Sequence, residues 1–200
     1  MKYLKESVQN EIEIRKSKFI TNLIPVKNID EANLFLSDIK KEHYNATHNC
    51  FAYIIDKQMT QKMSDDGEPS RTAGFPILEA LLSHNLDNVL CVVTRYFGGI
   101  HLGKGGLIRA YQNSALEAIK KASFYKEALK KIYLIEMPYT IYDSFNFYVS
   151  DKSEILENIF SESVSVKLYL NDLTIEELYD HFNGQFNYTF LEEIIVEVPL

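Results

Sequence analysis

A cluster of glycines between two contrasting segments is the feature that most constrains the fold. Five of the eight glycines in the chain lie between positions 98 and 106. Residues 89–94 before them form a continuous apolar, β-branched run, as in a strand covered on both faces. Residues 107–121 after them have the period of an amphipathic helix. When a strand leads through a glycine-rich loop into a helix, the backbone N–H groups of the loop and of the first helical turn can point at an anion. The same order of elements also occurs in connections that bind no ligand.

The cations around this loop complete a candidate anion or nucleic-acid site. Gly98, Gly103 and Lys104 have the spacing of a phosphate-binding P-loop, but position 105 is glycine where that motif needs a Ser or Thr hydroxyl for magnesium. The preceding strand also ends in Arg95 and not in the carboxylate that a nucleotide hydrolase needs. The pattern therefore predicts an anion site without hydrolysis. Its candidate residues are Arg95, Gly98, Gly99, Gly103, Lys104, Gly105, Gly106 and Arg109.

Three carboxylates crowd into a short acidic segment at Asp65, Asp66 and Glu68. Such carboxylates can act as acid and base or bind a hard cation, but the order DDGEP also favours a turn in which Asp caps backbone amides. Complementary charge suggests a further hypothesis. The acidic turn folds against the glycine loop and occupies the anion site when no ligand is bound. The alternative to an anion site is structural: Arg95 pairs with the acidic turn and Arg109 faces solvent. The candidate polar site comprises Asp65, Asp66, Gly67, Glu68, Arg71 and Thr72.

The remaining reactive side chains predict no metal, cofactor or catalytic residue. His43, His48 and Cys50 offer three ligands without a fourth at a standard zinc spacing. Cys91 lies inside a strand that we expect to be buried, and no serine lies in a recognisable nucleophile turn. We therefore expect two buried free thiols and no enzymatic centre that the sequence can define.

Composition is that of a globular protein with a sizeable core. Apolar residues make up 46% and charged residues 24% of the 200 residues. No apolar run approaches the roughly 18 residues that a membrane-spanning helix needs. The first 19 residues carry charges where a signal peptide would be apolar. We therefore expect a cytoplasmic protein.

The charges divide the chain into two parts. Residues 1–131 contain 19 Lys and Arg and 15 Asp and Glu, a net charge of +4, whereas residues 132–200 contain 2 and 13, a net charge of −11. This asymmetry predicts two domains, at residues 1–131 and 132–200, with separate partners.

Hydrophobic periodicity predicts an α+β fold in both parts. In the first domain we expect two strands within residues 12–26, a helix capped by Asp30, a strand at His48–Ile55, a loop at 56–71, a helix capped by Thr72, a strand at 89–94 and a helix at 107–121. In the second we expect strands at 132–137, 155–160, 164–170 and 191–198 and helices at 139–150 and 174–182. The order βαββαβ of the second domain is that of a ferredoxin-like sandwich.

Several long motifs resemble the YigZ family, the bacterial relatives of IMPACT. They are SDDGEPS with TAG at residues 64–74, VVTRYFGG at 92–99, LGKGGLIRAY at 102–111, and upstream SKFI and HNCFAY. The resemblance extends over essentially the whole chain. It implies a first domain like domain 2 of ribosomal protein S5, with a mixed sheet and helices. It also implies a ferredoxin-like second domain similar to the small domains of elongation factor G.

The same resemblance implies a link to translation and no established enzymatic activity. Eukaryotic members of the family bind a ribosome-associated activator of a stress kinase, a pathway that bacteria lack. Two departures stand out. Arg71 occupies a position where relatives have glycine, and the second domain is strongly acidic, which opposes contact with phosphates.

Three functions follow as hypotheses. The first is a non-enzymatic, translation-linked protein that contacts RNA or a ribosome-associated partner through the glycine loop of the first domain. The second is a protein-interaction module whose acidic second domain docks on a basic protein. The third, with least support from the residues, is an enzyme acting on a small anionic substrate through Asp65, Asp66 or Glu68.

Overall fold

The computed structural model describes all 200 residues, and their contacts divide the chain into two units. Unit 1 comprises Met1–Lys126 with Val198–Leu200, and unit 2 comprises Glu127–Glu197. Unit 2 thus begins a few residues before the domain start that the charge pattern predicts at residue 132. No helix of the chain is both long enough and apolar enough to cross a membrane.

Unit 1 is built on a five-stranded antiparallel sheet with helices on both faces. Its elements are β1 (Lys2–Leu4), β2 (Val8–Ile14), β3 (Ser17–Pro25), α1 (Ile29–Glu42), β4 (His48–Ile55), β5 (Thr60–Ser64), α2 (Gly74–Ser83), β6 (Leu86–Asp87), β7 (Val89–Tyr96), α3 (Lys104–Lys121) and the start of β8 (Phe124–Met137). The sheet order is β2-β3-β7-β4-β5. β7 is therefore the central strand, and seven of its eight residues are buried, as its apolar run predicts.

The alternation of β4 shows how both faces of this sheet are covered. Cys50, Ala52 and Ile54 join the core formed with α2 and α3. Phe51 and Tyr53 point to the other face, where they pack in a second core with residues of α1. Because β7 lies between β3 and β4 in this doubly covered sheet, its carboxyl end holds the glycine loop on a rigid support.

Unit 2 has the predicted ferredoxin-like order. After β8 come α4 (Tyr139–Val149), β9 (Ser153–Phe160), β10 (Val164–Leu170), α5 (Ile175–His181) and β11 (Asn187–Pro199). The strand order is β11-β8-β10-β9, and one core joins the sheet to both helices. Thr174 caps α5 in a capping box with Glu177. The α+β fold class is confirmed.

Several local predictions were wrong. Asn28, not Asp30, caps α1, because its extended backbone places Oδ1 2.9 Å from the N–H of Glu31. Thr72 does not cap α2, since its hydroxyl donates to the carbonyl of Pro69 instead. The expected loop at 56–71 contains β5, which pairs with β4 and extends the sheet by one edge strand.

Two predicted boundaries also moved. α3 begins at Lys104, three residues before the expected start, so Lys104, Gly105 and Gly106 belong to its first turn. The domain boundary that the charge pattern predicts after residue 131 falls inside β8, which begins at Phe124 and pairs with β1.

Candidate functional site

The glycine loop forms one wall of a cavity of about 480 Å³ in unit 1. The opposite wall is the acidic turn, and the floor is made by the ends of β4 and β7. The side chains and glycines that line the cavity are Thr47, His48, Gly67, Glu68, Pro69, Arg95, Phe97, His101, Leu102, Gly103, Lys104 and Leu107. Of the predicted residues, Arg95, Gly103 and Lys104 of the anion site and Gly67 and Glu68 of the acidic turn line this cavity, and the other members of the two sets do not.

The glycines of the loop have different roles. A Cβ on Gly98 would lie 1.9 Å from the carbonyl oxygen of Lys16, so this glycine permits close contact with the β2–β3 turn. Gly103 has φ 71° at the N-cap of α3, where the left-handed region favours glycine. Gly105 in the first turn has room for a side chain, since a Cβ there would meet only Arg109 Nη1 at 3.7 Å. The start of α3 is thus left open to approach, with Gly99 and Gly106 completing the loop.

The carboxylates of Asp65 and Asp66 are occupied in shaping the turn. Asp65 Oδ1 accepts from the N–H groups of Ala73 and Gly74 at 3.0 and 2.9 Å, which caps α2 from upstream. Its Oδ2 accepts from Arg71 N–H at 2.8 Å. These bonds give Asp65 a structural role at the point where the sequence predicted a cap by Thr72.

Asp66 ties the turn to the sheet and to α1. Its Oδ2 accepts from the Asn49 N–H at 2.7 Å, and its Oδ1 accepts from Lys40 Nζ at 2.8 Å. Partial burial opposes ionisation of this carboxyl, but the bonds from Lys40 and Asn49 outweigh it and hold the pKa of Asp66 below its ordinary value. Asp66 is therefore a charged anchor of the turn.

Glu68 is the carboxylate that faces the cavity. Its Oε1 accepts from Arg95 Nη1 at 2.6 Å and from the hydroxyl of Tyr111 at 2.7 Å, and His48 Nε2 lies 3.7 Å away. Burial, with Cys50 and Glu68 adding smaller effects, raises the pKa of Tyr111 far above its ordinary value, so the phenol stays a donor. Of the two alternatives that the sequence leaves open for Arg95, the structure has the pairing with the acidic turn.

Arg95 is held inside the site and not displayed at its surface. The residue is 5% exposed, and its guanidinium lies between the rings of Phe19 and Phe97, 5.6 and 5.5 Å from their centroids. Its Nη2 donates to Ser17 Oγ at 3.5 Å, whereas its buried Nε has no partner. Arg109 and Lys104, by contrast, are exposed on α3.

The structure adds two features that the sequence reasoning missed. The tip of the β2–β3 hairpin, with exposed Arg15 and Lys16, packs against Gly98, whose N–H donates to Ser17 Oγ at 3.2 Å. At the cavity mouth, Phe97 and His101 form an exposed ring pair with centroids 5.1 Å apart. The RKSK sequence of the hairpin and the aromatic residues inside the loop were the available signals.

The histidine and cysteine side chains near the acidic turn serve the turn and the core. His48 Nδ1 and Cys50 Sγ both bond to carbonyls of the acidic turn, at Asp66 and Asp65, and His43 bonds to Tyr96. No group of three or more His, Cys, Asp or Glu side chains is placed to hold a metal ion. Burial raises the pKa of the Cys91 thiol to about 12 and that of Cys50 also well above its ordinary value, so both are inert thiols.

Comparison with solved structures identifies the same fold elsewhere. A crystal structure described as that of a hypothetical protein has a TM-score of 0.61 and 28% identity over 96% of this chain and 97% of its own. The structure of the two-domain translational regulator Yih1 covers 60% of this chain and 46% of its own, with 22% identity and a TM-score of 0.36. The second value is too low to support a structural argument.

Comparison of sequences identifies the family. The model of the Impact N-terminal domain matches residues 15–119. The IMPACT family member YvyE of Bacillus subtilis is 43% identical over 84% of this chain and 79% of its own length. An IMPACT family member of Haemophilus influenzae is 35% identical over 94% of this chain and 95% of its own. The domain match spans the acidic turn, the glycine loop and most of α3, and the chain therefore belongs to the IMPACT family.

Proposed function

We propose that the protein is a translation-linked binding protein that contacts single-stranded RNA, free or within the ribosome, through unit 1. The contact surface is the basic loop face, which we define as Arg15, Lys16, Phe97, His101, the first turn of α3 with Lys104, and Arg109. The observation that carries the proposal is the packing of the hairpin tip against Gly98, which brings the hairpin cations to the glycine loop.

The basic loop face combines the contacts that single strands require. Arg15, Lys16, Lys104 and Arg109 are exposed, and no ion pair with a carboxylate occupies any of them. The first turn of α3 presents unpaired backbone N–H groups, and no acidic residue stands in it. Exposed aromatic rings beside cations provide a surface on which bases stack.

The magnitude of the proposed binding is modest. Each phosphate neutralised on a single strand contributes about −0.7 to the slope of log Kobs against log salt concentration. Arg95 is buried against Glu68 and contributes no exposed charge, so the four exposed cations predict a slope of about −3. Affinity for a short free strand should therefore be weak, and stable association requires the additional contacts of a larger RNA assembly.

Ribosome and RNA co-sedimentation tests this proposal with full-length protein. We expect the protein to sediment with ribosomes at low salt and to be released at moderate salt. The double variant Lys16→Gln, Lys104→Gln should sediment poorly. The matched control Lys120→Gln, Lys121→Gln removes the same charge at the far end of α3, about 24 Å from its start, and should sediment like the wild type. Equal loss in both variants would contradict a specific role for the basic loop face.

The acidic surface of unit 2 favours a second candidate function, which is docking on a basic protein. Exposed carboxylates follow both edge strands, with Glu154 and Glu157 on β9 and Glu193 and Glu197 on β11. Opposite charges at such a surface raise the association rate with a basic partner. The same assay distinguishes this candidate from RNA contact. Docking on a basic protein is favoured if the triple variant Glu154→Gln, Glu157→Gln, Glu193→Gln no longer sediments with ribosomes while the double variant Lys16→Gln, Lys104→Gln still does.

A further inference from the structure

We propose that the cavity beneath the basic loop face cleaves the bound RNA strand, with His48 as general base and His101 as general acid at one phosphate. The inference rests on the proposed RNA function and adds a chemical step to it. It depends on two imidazoles that line one cavity, on the hydrogen bond that orients His48 and on the positive groups in the same lining.

The cavity brings together two histidines that are distant in the sequence. His48 begins β4 and is bonded to the acidic turn, whereas His101 lies in the glycine loop, which forms the opposite wall. The volume of about 480 Å³ lies within the range of roughly 300–1,000 Å³ that ligand pockets occupy. Imidazoles on opposite walls suit an in-line displacement, in which the attacking and leaving oxygens lie on opposite sides of phosphorus.

The hydrogen bond of His48 leaves its other ring nitrogen free to act as a base. Nδ1 lies 2.9 Å from the carbonyl oxygen of Asp66. A carbonyl only accepts, so Nδ1 carries the hydrogen and Nε2 of the neutral ring carries the lone pair. Nε2 lies 3.7 Å from Glu68 Oε1, beyond hydrogen-bond distance, and the His48 side chain is 19% exposed. The turn therefore orients His48 with a nitrogen that can take a proton from a ligand.

His101 is the group in position to donate a proton. It is exposed in the glycine loop, where its ring lies against that of Phe97 with the centroids 5.1 Å apart. Contact with Phe97 restricts the ring, and exposure lets it exchange protons with solvent. His101 can therefore give up a proton in each reaction and regain it afterwards.

The lining also contains groups that stabilise negative charge. Lys104 is exposed and lines the cavity. It begins α3, whose first turn presents backbone N–H groups without helical partners. Donors that are already in place lower the barrier to a transition state in which charge develops on oxygen. The phosphate of a bound strand would thus be held where its charge increases during the reaction.

The reaction uses a nucleophile that RNA itself supplies. Nε2 of His48 takes the proton of a ribose 2′-hydroxyl, and the 2′-oxygen forms a bond to the adjacent phosphorus. The bond from phosphorus to the 5′-oxygen of the next nucleotide breaks, and His101 gives that oxygen a proton. The products are a 2′,3′-cyclic phosphate and a 5′-hydroxyl, and proton exchange with solvent restores both rings. A DNA strand lacks the 2′-hydroxyl and should not be cleaved.

The test uses full-length protein in excess over a short labelled single-stranded RNA at low salt, where binding is strongest. We expect cleavage to products that end in a 2′,3′-cyclic phosphate, as identified by mass spectrometry. The same strand with 2′-deoxyribose throughout should bind, as measured by anisotropy, but remain intact. Products that end in a 3′-hydroxyl would mean that the 2′-hydroxyl does not attack, and they would overturn the inference.

Matched variants assign the activity to the two histidines. His48→Asn keeps a side-chain N–H donor near the position of Nδ1, where it can still bond to the Asp66 carbonyl, but has no group in place of Nε2. It should bind the strand and lower the single-turnover cleavage rate by at least about a hundredfold, as should His101→Gln. The control His84→Gln, outside the cavity, should cleave like the wild type. Equal cleavage by all four proteins, purified in the same way, would reveal a contaminating nuclease and overturn the inference.

The remaining outcomes separate the inference from the function on which it rests. If His48→Asn fails to fold, His101→Gln on its exposed loop still decides whether the cavity cleaves. Salt-dependent binding of an RNA strand that stays intact would overturn the cleavage reaction and leave the RNA proposal standing. Neither binding nor cleavage would overturn the RNA proposal itself.

Discussion

Glu68 Oε1 lies 2.6 Å from Arg95 Nη1, and both side chains are more than nine-tenths buried. This ion pair joins the acidic turn to the central strand of unit 1 across 27 positions of the sequence. The charge of Arg95 is therefore neutralised inside the protein, and the residue supports the cavity instead of forming its cationic surface.

The buried pair predicts a strong effect of removing either partner alone. Glu68→Ala and Arg95→Ala should each lower the free energy of unfolding by about 3–5 kcal/mol, because each leaves the other charge buried without its partner. The double variant should lose less than the sum of the two. Urea denaturation of the four proteins measures this coupling, and strict additivity would show that the pair contributes nothing specific.

Gly98 and Gly105 predict opposite responses to alanine. Gly98→Ala should destabilise the protein by about 1–3 kcal/mol or more, because the new Cβ would overlap the Lys16 carbonyl and the backbone must move. Gly105→Ala has room and should raise stability by up to about 1 kcal/mol, since alanine favours a helix over glycine. Thermal unfolding of both variants checks the difference. Equal effects would mean that the approach of the hairpin tip to the loop is not close.

Arg71 combines a strained backbone with a favourable ring contact. Its φ is 61°, and its guanidinium lies 3.9 Å from the centroid of the Phe75 ring. Arg71→Ala keeps the left-handed backbone and loses the ring contact, so it should lower the free energy of unfolding by about 0.5–1 kcal/mol. Arg71→Gly should be about 1 kcal/mol more stable than Arg71→Ala, because glycine adopts this φ without strain. The same strain accounts for the glycine that the family resemblance implies at this position.

Asp66 predicts a pH-dependent contribution to stability. Because its pKa in the folded protein lies below the ordinary value of 3.8, the charged form stabilises the fold above that pH. The advantage of wild type over Asp66→Asn in free energy of unfolding should be constant near neutral pH. It should shrink as the pH falls below about 4 and through the folded pKa. An advantage independent of pH down to strongly acidic solution would show that the charge on Asp66 is not involved.

The helices and strands could be predicted from the sequence more accurately than the contacts between them. The apolar run of β7, the amphipathic α3 and the βαββαβ order of unit 2 are local patterns, and all three were predicted. The site depends on contacts between distant residues, such as Gly98 with Ser17 at a separation of 81 positions, and periodicity contains no information about them. For the same reason, the cap of α2 by Asp65 could not be distinguished from the nearer candidate Thr72.

The salt dependence of binding to a short single-stranded RNA tests the central proposal most directly. For the wild type we predict a slope of log Kobs against log salt concentration of about −3, which Lys16→Gln, Lys104→Gln reduces in magnitude by about 1.4. The Lys120→Gln, Lys121→Gln control should keep the wild-type slope. A slope near zero, or one that the Lys16 and Lys104 variant leaves unchanged, would contradict a phosphate-contacting role for the basic loop face.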